Sequence, residues 1–295
     1  MTLAISQLYV YPVKSCRGIL LDKVKLGKYG FLFDRLWVLV NKDNIFITAR
    51  THPKLVTIVQ SITEDPLNSN KVLIKLEAEG NHEPLFLNPT PLSFGPEIEV
   101  AIWKDQVAGH DCGEEAAAWF SKAVGESVRL LIKGARARKV RDLYLERDGL
   151  GLINSETGFA DGFPLLISSE ESLEQLKKEL PDDVKDSVDM RNFRPNLVLR
   201  GCSKPYEEDE YGVIRIGAVE FHCDKPCSRC SFPNVNPETG IPHKLEPSKT
   251  LMKSRRAFPH IQKYSAFFGI NAIPLSSGGT LEVGQAVEVI SRTEK

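Results

Sequence analysis

The chain has 295 residues and a formal net charge of −1, and 42% of its residues are hydrophobic and 26% charged. These values are typical of a globular protein with one large domain or two, and they exclude a general attraction to nucleic acid or to a membrane surface. No apolar run approaches the roughly 18 residues of a transmembrane helix, and residues 1–7 lack the regions of a signal peptide. The six cysteines are unevenly spaced, as is typical of reduced thiols. We therefore expect a cytoplasmic protein without a membrane anchor.

The first part of the chain predicts strands rather than helices. Apolar residues, many of them β-branched or aromatic, recur in short runs that are separated by turn residues. One pair of runs, 36–40 and 45–48, predicts a hairpin around the turn 41–44. The other strands of this part are predicted at 4–13, 55–60, 72–76 and 97–103.

A short polar segment follows the first predicted strand. Lys14 and Ser15 stand near Gly18 in the run Lys-Ser-Cys-Arg-Gly. A lysine and a hydroxyl beside a glycine can hold a phosphate group through a point charge and a hydrogen bond. The same residues also fit an ordinary solvated turn, and the segment alone does not decide between the two.

The first predicted helix lies between Gly113 and Gly125, since the apolar residues between them keep helical spacing and a glycine can end a helix. Asp111 is a good N-terminal cap. We therefore interpret His110, Asp111 and Cys112 as the cap with its neighbours, rather than as a metal-binding cluster.

The run 133–141 carries five lysines and arginines and no aromatic residue. The lack of aromatics argues against a surface on which nucleic-acid bases stack. The run is either a solvated loop or a docking site for an acidic protein. Because the composition changes here, we expect a domain boundary near residue 135.

The second half opens with the strand 165–167 and one clear helix. Ser168 and Glu171 have the spacing of a capping box. The helix that they begin is expected to bury leucines as far as Leu180, before Pro181 ends it.

The rest of the chain returns to strands. The segment 190–198 predicts a polar, basic loop that leads into a strand, and Arg191 and Arg194 in it can bind an anion. Residues 280–290 predict a hairpin around Gly284. The excess of strands over helices indicates a strand-rich α+β protein that contains a β-barrel domain.

Three of the cysteines lie within eight residues: Cys223, Cys227 and Cys230. They follow the strand pattern 213–221, so we expect them on a loop at the end of a strand, next to the cation Arg229. A thiolate here can act as a nucleophile or bind a metal. Zinc binding and redox or inert cysteines are the alternatives, although no second Cys-x-x-Cys is present to complete a common zinc site.

Several motifs, taken together, resemble those of MOSC-domain proteins, and most closely the mitochondrial amidoxime-reducing component group with its bacterial relatives. They occur in the expected order and cover the chain from about residue 3 to residue 292. The motifs are Tyr11-Pro-Val-Lys-Ser-Cys16, Phe33-Asp-Arg-Leu-Trp37, Ile47-Thr-Ala-Arg50, Gly109-His-Asp-Cys-Gly-Glu114, Asn192-Phe-Arg-Pro-Asn196, Cys227-Ser-Arg-Cys230 and Asn236-Pro-Glu-Thr-Gly240.

The resemblance implies a MOSC N-terminal α+β domain at residues 1–135, a MOSC β-barrel domain at 136–295 and a molybdenum–molybdopterin cofactor between them. It assigns Cys230 as the molybdenum ligand and Asp161 as a residue near the metal, and these two are the expected catalytic residues. Gly162 and Phe163 replace the Thr-Ser of vertebrate members, which leaves backbone contacts only. The expected cofactor-binding residues are Lys14, Ser15, Arg35, Gly162, Phe163, Arg194, Asn196, Ser228 and Arg229.

The resemblance also implies the activity, a reduction of N-hydroxylated compounds such as amidoximes and hydroxylamines. The electrons are expected from a separate redox protein of the cytochrome b5 or flavin reductase type, because the chain carries no iron–sulfur cysteine set after Cys230. The alternative is a carrier of the molybdenum cofactor or of sulfur, without turnover of a small molecule. Cys227 is expected to be a structural thiol.

Overall fold

The computed structural model describes residues 2–65, 68–91, 93, 95–140 and 155–293. Its strands are β1 (Ala4–Val10), β2 (Ile19–Leu21), β3 (Lys23–Gly27), β4 (Gly30–Phe31), β5 (Trp37–Asn41), β6 (Val59–Asp65), β7 (Asn68–Glu77), β8 (Leu85–Leu87), β9 (Glu97–Ile102), β10 (Asp105–Asp111), β11 (Val128–Lys133), β12 (Leu165–Ser169), β13 (Leu197–Arg200), β14 (Tyr211–Ile216), β15 (Val219–Arg229), β16 (Ala266–Pro274), β17 (Thr280–Glu282) and β18 (Val287–Arg292). The α-helices are α1 (Glu114–Val124), α2 (Glu170–Glu179), α3 (Met190–Phe193) and α4 (Ser248–Ser254). Short 3-10 helices lie at Pro53–Thr57, Lys185–Ser187, Glu207–Glu210 and Phe232–Asn234.

The largest sheet has eight strands in the order β18-β14-β15-β16-β12-β13-β1-β2. Its strands pair antiparallel except for β12 and β13, which are parallel. The first strand of the chain joins this sheet by pairing Leu8 with Leu197. A core of buried aliphatic and aromatic side chains, including Ile5, Tyr211 and Phe221, covers one face of the sheet. The fold thus brings the segment that follows β1 next to the segments of the second half.

Three smaller sheets complete the fold: β5-β11-β10-β9, β17-β3-β4 and β6-β7-β8. A second core, which includes Trp37, Leu130 and Phe120, packs between α1 and the sheets β5-β11-β10-β9 and β6-β7-β8, whereas Val24 and Leu281 of the sheet β17-β3-β4 belong to the first core. The strand-rich α+β fold class is confirmed. The division at residue 135 stays a prediction, since β1 and β2 pair within the sheet of the second half while β11 ends at Lys133.

The predictions of the two helices were confirmed in outline, but both caps were wrong. Helix α1 begins after Gly113, because Asp111 still belongs to β10 and its carboxylate is bound by Arg129 and by the Gly113 amide. Helix α2 is capped by Ser169 rather than Ser168, because β12 continues for one residue more and puts Ser169 in extended backbone. In both cases the end of the preceding strand decides the cap.

Three segments of the second half differ from their predictions. Residues 190–193 form α3, whose capping box joins Asp189 and Asn192. The predicted hairpin at the end of the chain is absent from the described residues 280–290, because β17 pairs with β3 while β18 pairs with β14. The segment of Cys223 and Cys227 lies on β15 rather than on a loop after it: bulges on either side of Pro226 let the strand continue to Arg229.

The basic run is mainly an internal support. Lys133 and Arg138 are buried, and Arg136 pairs with Glu97 and Glu99 of β9. The docking hypothesis for this run is therefore not supported. Its last cation, at position 141, lies outside the described residues.

Within the part of the chain that the structure describes, no helix combines the length and the apolarity that a membrane span needs.

Candidate cofactor-binding site

Four segments that are distant in sequence meet at one end of the large sheet. The backbone of Arg35 donates to the Tyr11 carbonyl at 2.9 Å and its own carbonyl accepts from the Phe159 amide at 2.8 Å. The Asn196 amide donates to the Leu166 carbonyl at 2.8 Å. These backbone bonds bring most of the predicted cofactor residues, from both halves of the chain, into one region. We refer to this region as the cleft.

Two arginines of the cleft lie against one tyrosine. The guanidinium carbons of Arg35 and Arg194 are 4.2 and 4.1 Å from the centre of the Tyr11 ring. Asp34 holds Arg35 with two oxygens at 2.7 and 2.8 Å, and Asn196 adds a third bond at 3.0 Å. The positive charge of Arg35 repels that of Arg194, and an anion bound beside them would offset this repulsion.

Arg194 is the residue whose hydrogen bonds are incomplete. It occupies the left-handed C-terminal position after α3, with φ at 57°. Its Nη1 donates to the Cys16 carbonyl at 2.7 Å, but its Nη2 is buried and has no acceptor among the described residues. Burial, with repulsion from Arg35, lowers the pKa of Arg194 to about 10. An anionic oxygen would supply the missing acceptor and restore the charge balance.

Lys14 and Asp161 form an ion pair on another wall of the cleft. Lys14 is buried, and its Nζ donates to Asp161 Oδ1 at 2.6 Å and to the Phe159 carbonyl at 2.8 Å. Burial lowers the pKa of Lys14 against the opposing effect of Asp161. The surrounding protein atoms oppose ionisation of Asp161, but Lys14 and Trp103 outweigh them and hold the pKa of Asp161 below its usual range. Asp161 is therefore a carboxylate at neutral pH.

The second carboxylate oxygen of Asp161 is the acceptor that this wall offers to a ligand. Both internal bonds, from Lys14 and from the Trp103 indole at 2.9 Å, go to Oδ1. Within the described ranges Oδ2 accepts no hydrogen bond, and 70% of the side-chain surface is exposed. The guanidinium of Arg50 stacks on the Trp103 ring at 4.5 Å.

The cysteine segment borders the same cleft. Cys230 is exposed, and its Sγ accepts from the Phe232 amide at 3.5 Å. The Phe232 ring lies 5.2 Å from the Arg194 guanidinium. Arg229 donates to Cys227 Sγ at 3.2 Å and to the Phe193 carbonyl at 2.9 Å, and its buried Nε has no acceptor among the described residues. Cys227 is thus bound internally, while Cys230 presents its thiol outward.

A zinc site at these cysteines has no support. Over residues 2–65, 68–91, 93, 95–140 and 155–293, no group of three His, Cys, Asp or Glu side chains is arranged to hold a metal ion. Cys223 is completely buried whereas Cys230 is exposed. A metal that takes its other ligands from a cofactor needs only one protein thiolate, which the chain provides.

The backbone is strained around the cleft. A positive φ is uncommon for residues other than glycine and costs on the order of 1 kcal/mol or more. Five such residues lie in or beside the cleft, one of them Arg194 at the C-terminal end of α3. They are Ser15 (73°), Phe33 (71°), Arg35 (45°), Trp103 (58°) and Arg194 (57°).

The remaining predicted residues have different surroundings. Asn196 is buried, with its amide bonded to Arg35, Leu166 and Tyr9, so it holds Arg35 in place. Ser228 is exposed on β15. A side chain at Gly162 would meet no atom within 4 Å, and the Phe163 ring lies 5.7 Å from Lys225 Nζ. Ser15 is buried at the turn after β1.

Sequence reasoning missed several residues of the site. Trp103 and Arg50 were not predicted to contribute, although Arg50 belongs to the motif at 47–50. Arg138 was expected in a solvated loop or a docking site, yet its guanidinium binds the carbonyls of Gly158, Ala160 and Asp161 and so fixes the segment that carries Asp161. Only a contact across the fold reveals these roles.

Two family models match the chain. The MOSC N-terminal beta barrel domain matches residues 2–127, and the MOSC domain matches residues 154–288. The fold and the cationic cleft therefore define a MOSC-domain protein.

Among curated proteins, mitochondrial amidoxime-reducing component 1 of Mus musculus is 32% identical over 303 residues, which cover 98% of this chain and 82% of the mouse protein. Mitochondrial amidoxime reducing component 2 of Bos taurus is 33% identical, over 96% of this chain and 82% of its own length. Mitochondrial amidoxime-reducing component 1 of Homo sapiens is 31% identical, over 98% of this chain and 83% of the human protein. The chain belongs to the family of these amidoxime-reducing components.

Proposed function

We propose that the protein is a molybdenum-cofactor-dependent reductase of N-hydroxylated compounds, with amidoximes and hydroxylamines as substrates and a separate redox protein as electron source. The observation that supports it best is the incomplete cationic cluster beside an exposed thiol. Arg194 and Arg229 each have a buried N–H without an acceptor in the described residues, next to the outward thiol of Cys230. The names of the relatives indicate the substrate class.

The residues of the cleft fit an anionic cofactor that already carries a bound metal ion. Arg35 and Arg194 would hold its phosphate or pterin oxygens from one wall, and Lys14 would contribute charge from the other. Ser15, Ser228 and the backbone at 162–163 would supply further contacts, as the family resemblance implies. Cys230 would ligate the molybdenum as a soft sulfur donor. When bound, the cofactor supplies the two-electron oxygen-atom chemistry.

Asp161 would orient the substrate. Reduction of an N–OH group to N–H consumes two electrons and two protons and releases water. As a carboxylate, Asp161 can accept a hydrogen bond from the N–H or O–H of the substrate through Oδ2, while Lys14 and Trp103 fix the side chain through Oδ1. Its lowered pKa makes it an acceptor rather than a proton source.

Turnover of benzamidoxime, with reduced methyl viologen as an artificial electron donor, tests the proposal. Protein from a cofactor-competent host should produce benzamidine, and Cys230→Ala should not. Cys227→Ala, three residues away, is the matched control and should keep most of the activity. Bound molybdenum without turnover in the wild-type protein would support the carrier alternative instead.

A further inference from the structure

The segment 239–281 has an uneven charge. It contains six lysines and arginines but a single acidic residue, Glu246. Arg255 is buried and bound to Asp209, and Glu246 is buried too. The five remaining cations are exposed, and within the part of the chain that the structure describes none of them forms an ion pair. They are Lys244, Lys249, Lys253, Arg256 and Lys263.

These cations lie on α4, just before it and in the segment that follows it, and we call the surface that they form the basic face. Lys249 and Lys253 are four residues apart in α4 and so share a side of that helix. Arg256 follows α4 closely, and its guanidinium donates to the Lys263 carbonyl at 3.4 Å. Lys244 precedes the helix. Exposed apolar side chains stand between the charges along the chain: the tyrosine at 264 is 70% exposed and the leucine at 245 is 48% exposed.

The basic face adjoins the thiol of the candidate site. The Phe267 amide donates to the Arg255 carbonyl at 3.0 Å, which fixes the segment after α4 against β16. In the sheet, Phe267 pairs with Ser228 and Ala266 pairs with Arg229, the neighbour of Cys230. The cation at position 263 precedes Ala266 by three residues, which an extended chain spans in about 10 Å. A protein bound here would lie close to the metal that Cys230 is proposed to hold.

We propose that the basic face docks the acidic surface of the electron-transfer protein that reduces this enzyme. This inference rests on the proposed function. Charge complementarity selects the partner: five cations without an ion pair in the described residues attract an acidic protein, and the apolar side chains among them can pack against its surface. Arg136 and Arg138 of the run 133–140 are less suited to this role, because Glu97, Glu99 and Asp105 already pair with them.

The test uses the holoenzyme with a soluble cytochrome b5 haem domain as the probe donor. Two graded variants remove charge from α4: Lys249→Gln with Lys253→Gln, and Lys249→Glu with Lys253→Glu. At low ionic strength, kcat/KM for the haem domain should fall about threefold in the first and about tenfold in the second. The loss should shrink in about 0.5 M salt, where the charges are screened.

The matched control reverses two exposed lysines elsewhere, Lys25→Glu and Lys71→Glu, for the same change in net charge. It should keep the wild-type kcat/KM and salt dependence. An equal loss in this control and in the α4 variants would overturn the inference, because net charge rather than the basic face would then be responsible. So would an unchanged donor rate in the α4 variants, or a wild-type enzyme that the haem domain does not reduce.

Two further measurements distinguish a loss of donor docking from a catalytic defect and from binding to lipid. Viologen-driven turnover should be the same in all variants, since viologen needs no docking surface; its absence from the wild type would refute the proposed function itself. Vesicles with and without phosphatidylserine test for a lipid surface. If the α4 variants lost vesicle binding but kept the haem-domain rate, the basic face would bind lipid and the inference would be wrong.

Discussion

Arg194 is predicted to destabilise the cofactor-free protein. Burial, with repulsion from Arg35, lowers its pKa well below the usual arginine value, to about 10, which corresponds to a cost of about 3 kcal/mol. Because a lowered pKa means that the folded state disfavours the cation, this cost applies in full at every pH below about 10. The hydrogen bond from Nη1 to the Cys16 carbonyl and the contact with the Tyr11 ring together stabilise the folded protein by about 2 kcal/mol, which offsets part of this cost. Replacing Arg194 by methionine should therefore stabilise the cofactor-free protein by about 1 kcal/mol.

Thermal unfolding measures this effect in protein from a host that cannot make molybdopterin. Arg194→Met should raise Tm by about 2–4 °C, whereas the exposed control Arg256→Met should leave Tm unchanged. The same Arg194→Met protein from a cofactor-competent host should have lost most of its molybdenum. A Tm lowered by several degrees would contradict this prediction, since Arg194 would then stabilise the fold without a bound anion.

Three more predictions concern other buried or paired groups. Asp161→Asn should keep the molybdenum but lower kcat/KM for benzamidoxime about tenfold. The size of this loss should not change between about pH 5 and pH 8, because Asp161 of the wild type is ionised throughout that range. A variant with the wild-type kcat/KM would exclude Asp161 from substrate binding. Asn196→Ala should lower the free energy of unfolding by about 2 kcal/mol in urea titrations, since it removes the side-chain acceptor of the Leu166 amide, the side-chain donor to the Tyr9 carbonyl and one of the acceptors of Arg35; an unchanged midpoint would contradict this. Burial raises the pKa of Glu208 from 4.5 to about 7, so stability should decline as the pH rises from about 4.5 to about 7. Glu208→Gln should remove that decline while Glu210→Gln keeps it, and a Glu208→Gln protein with the wild-type pH profile would refute the assignment.

The sequence was informative wherever local patterns decide the structure. Alternating apolar residues predicted most strands, and helical spacing between Gly113 and Gly125 predicted α1. The caps were missed because a cap depends on where the preceding strand ends, and the pairing of β10 and β12 extends those strands beyond their apolar pattern. Pro226 was expected in a loop after the strand, whereas two bulges accommodate it within β15.

The candidate site was predictable only in part, because its residues come from segments that the sequence does not connect. The motifs identified Lys14, Arg35 and Arg194 as a set, and the structure brings them together through Tyr11 and the neighbouring backbone. The bond from Trp103 to Asp161 and the support from Arg138 depend on tertiary contacts that leave no local signal. For the same reason the sequence did not show that Arg136 and Arg138 form ion pairs within the fold, because their partners lie on β9 and β10.

Molybdenum and pterin content, measured in the wild-type protein and in Cys230→Ala purified from a cofactor-competent host, tests the proposed function most directly. We expect stoichiometric molybdenum and pterin in the wild type, and a variant that has lost the metal or holds it in an inactive form. Cys227→Ala should resemble the wild type. A molybdenum-free protein that carries zinc in a Cys230-dependent way would contradict the proposed function and make the cysteine segment a structural metal site.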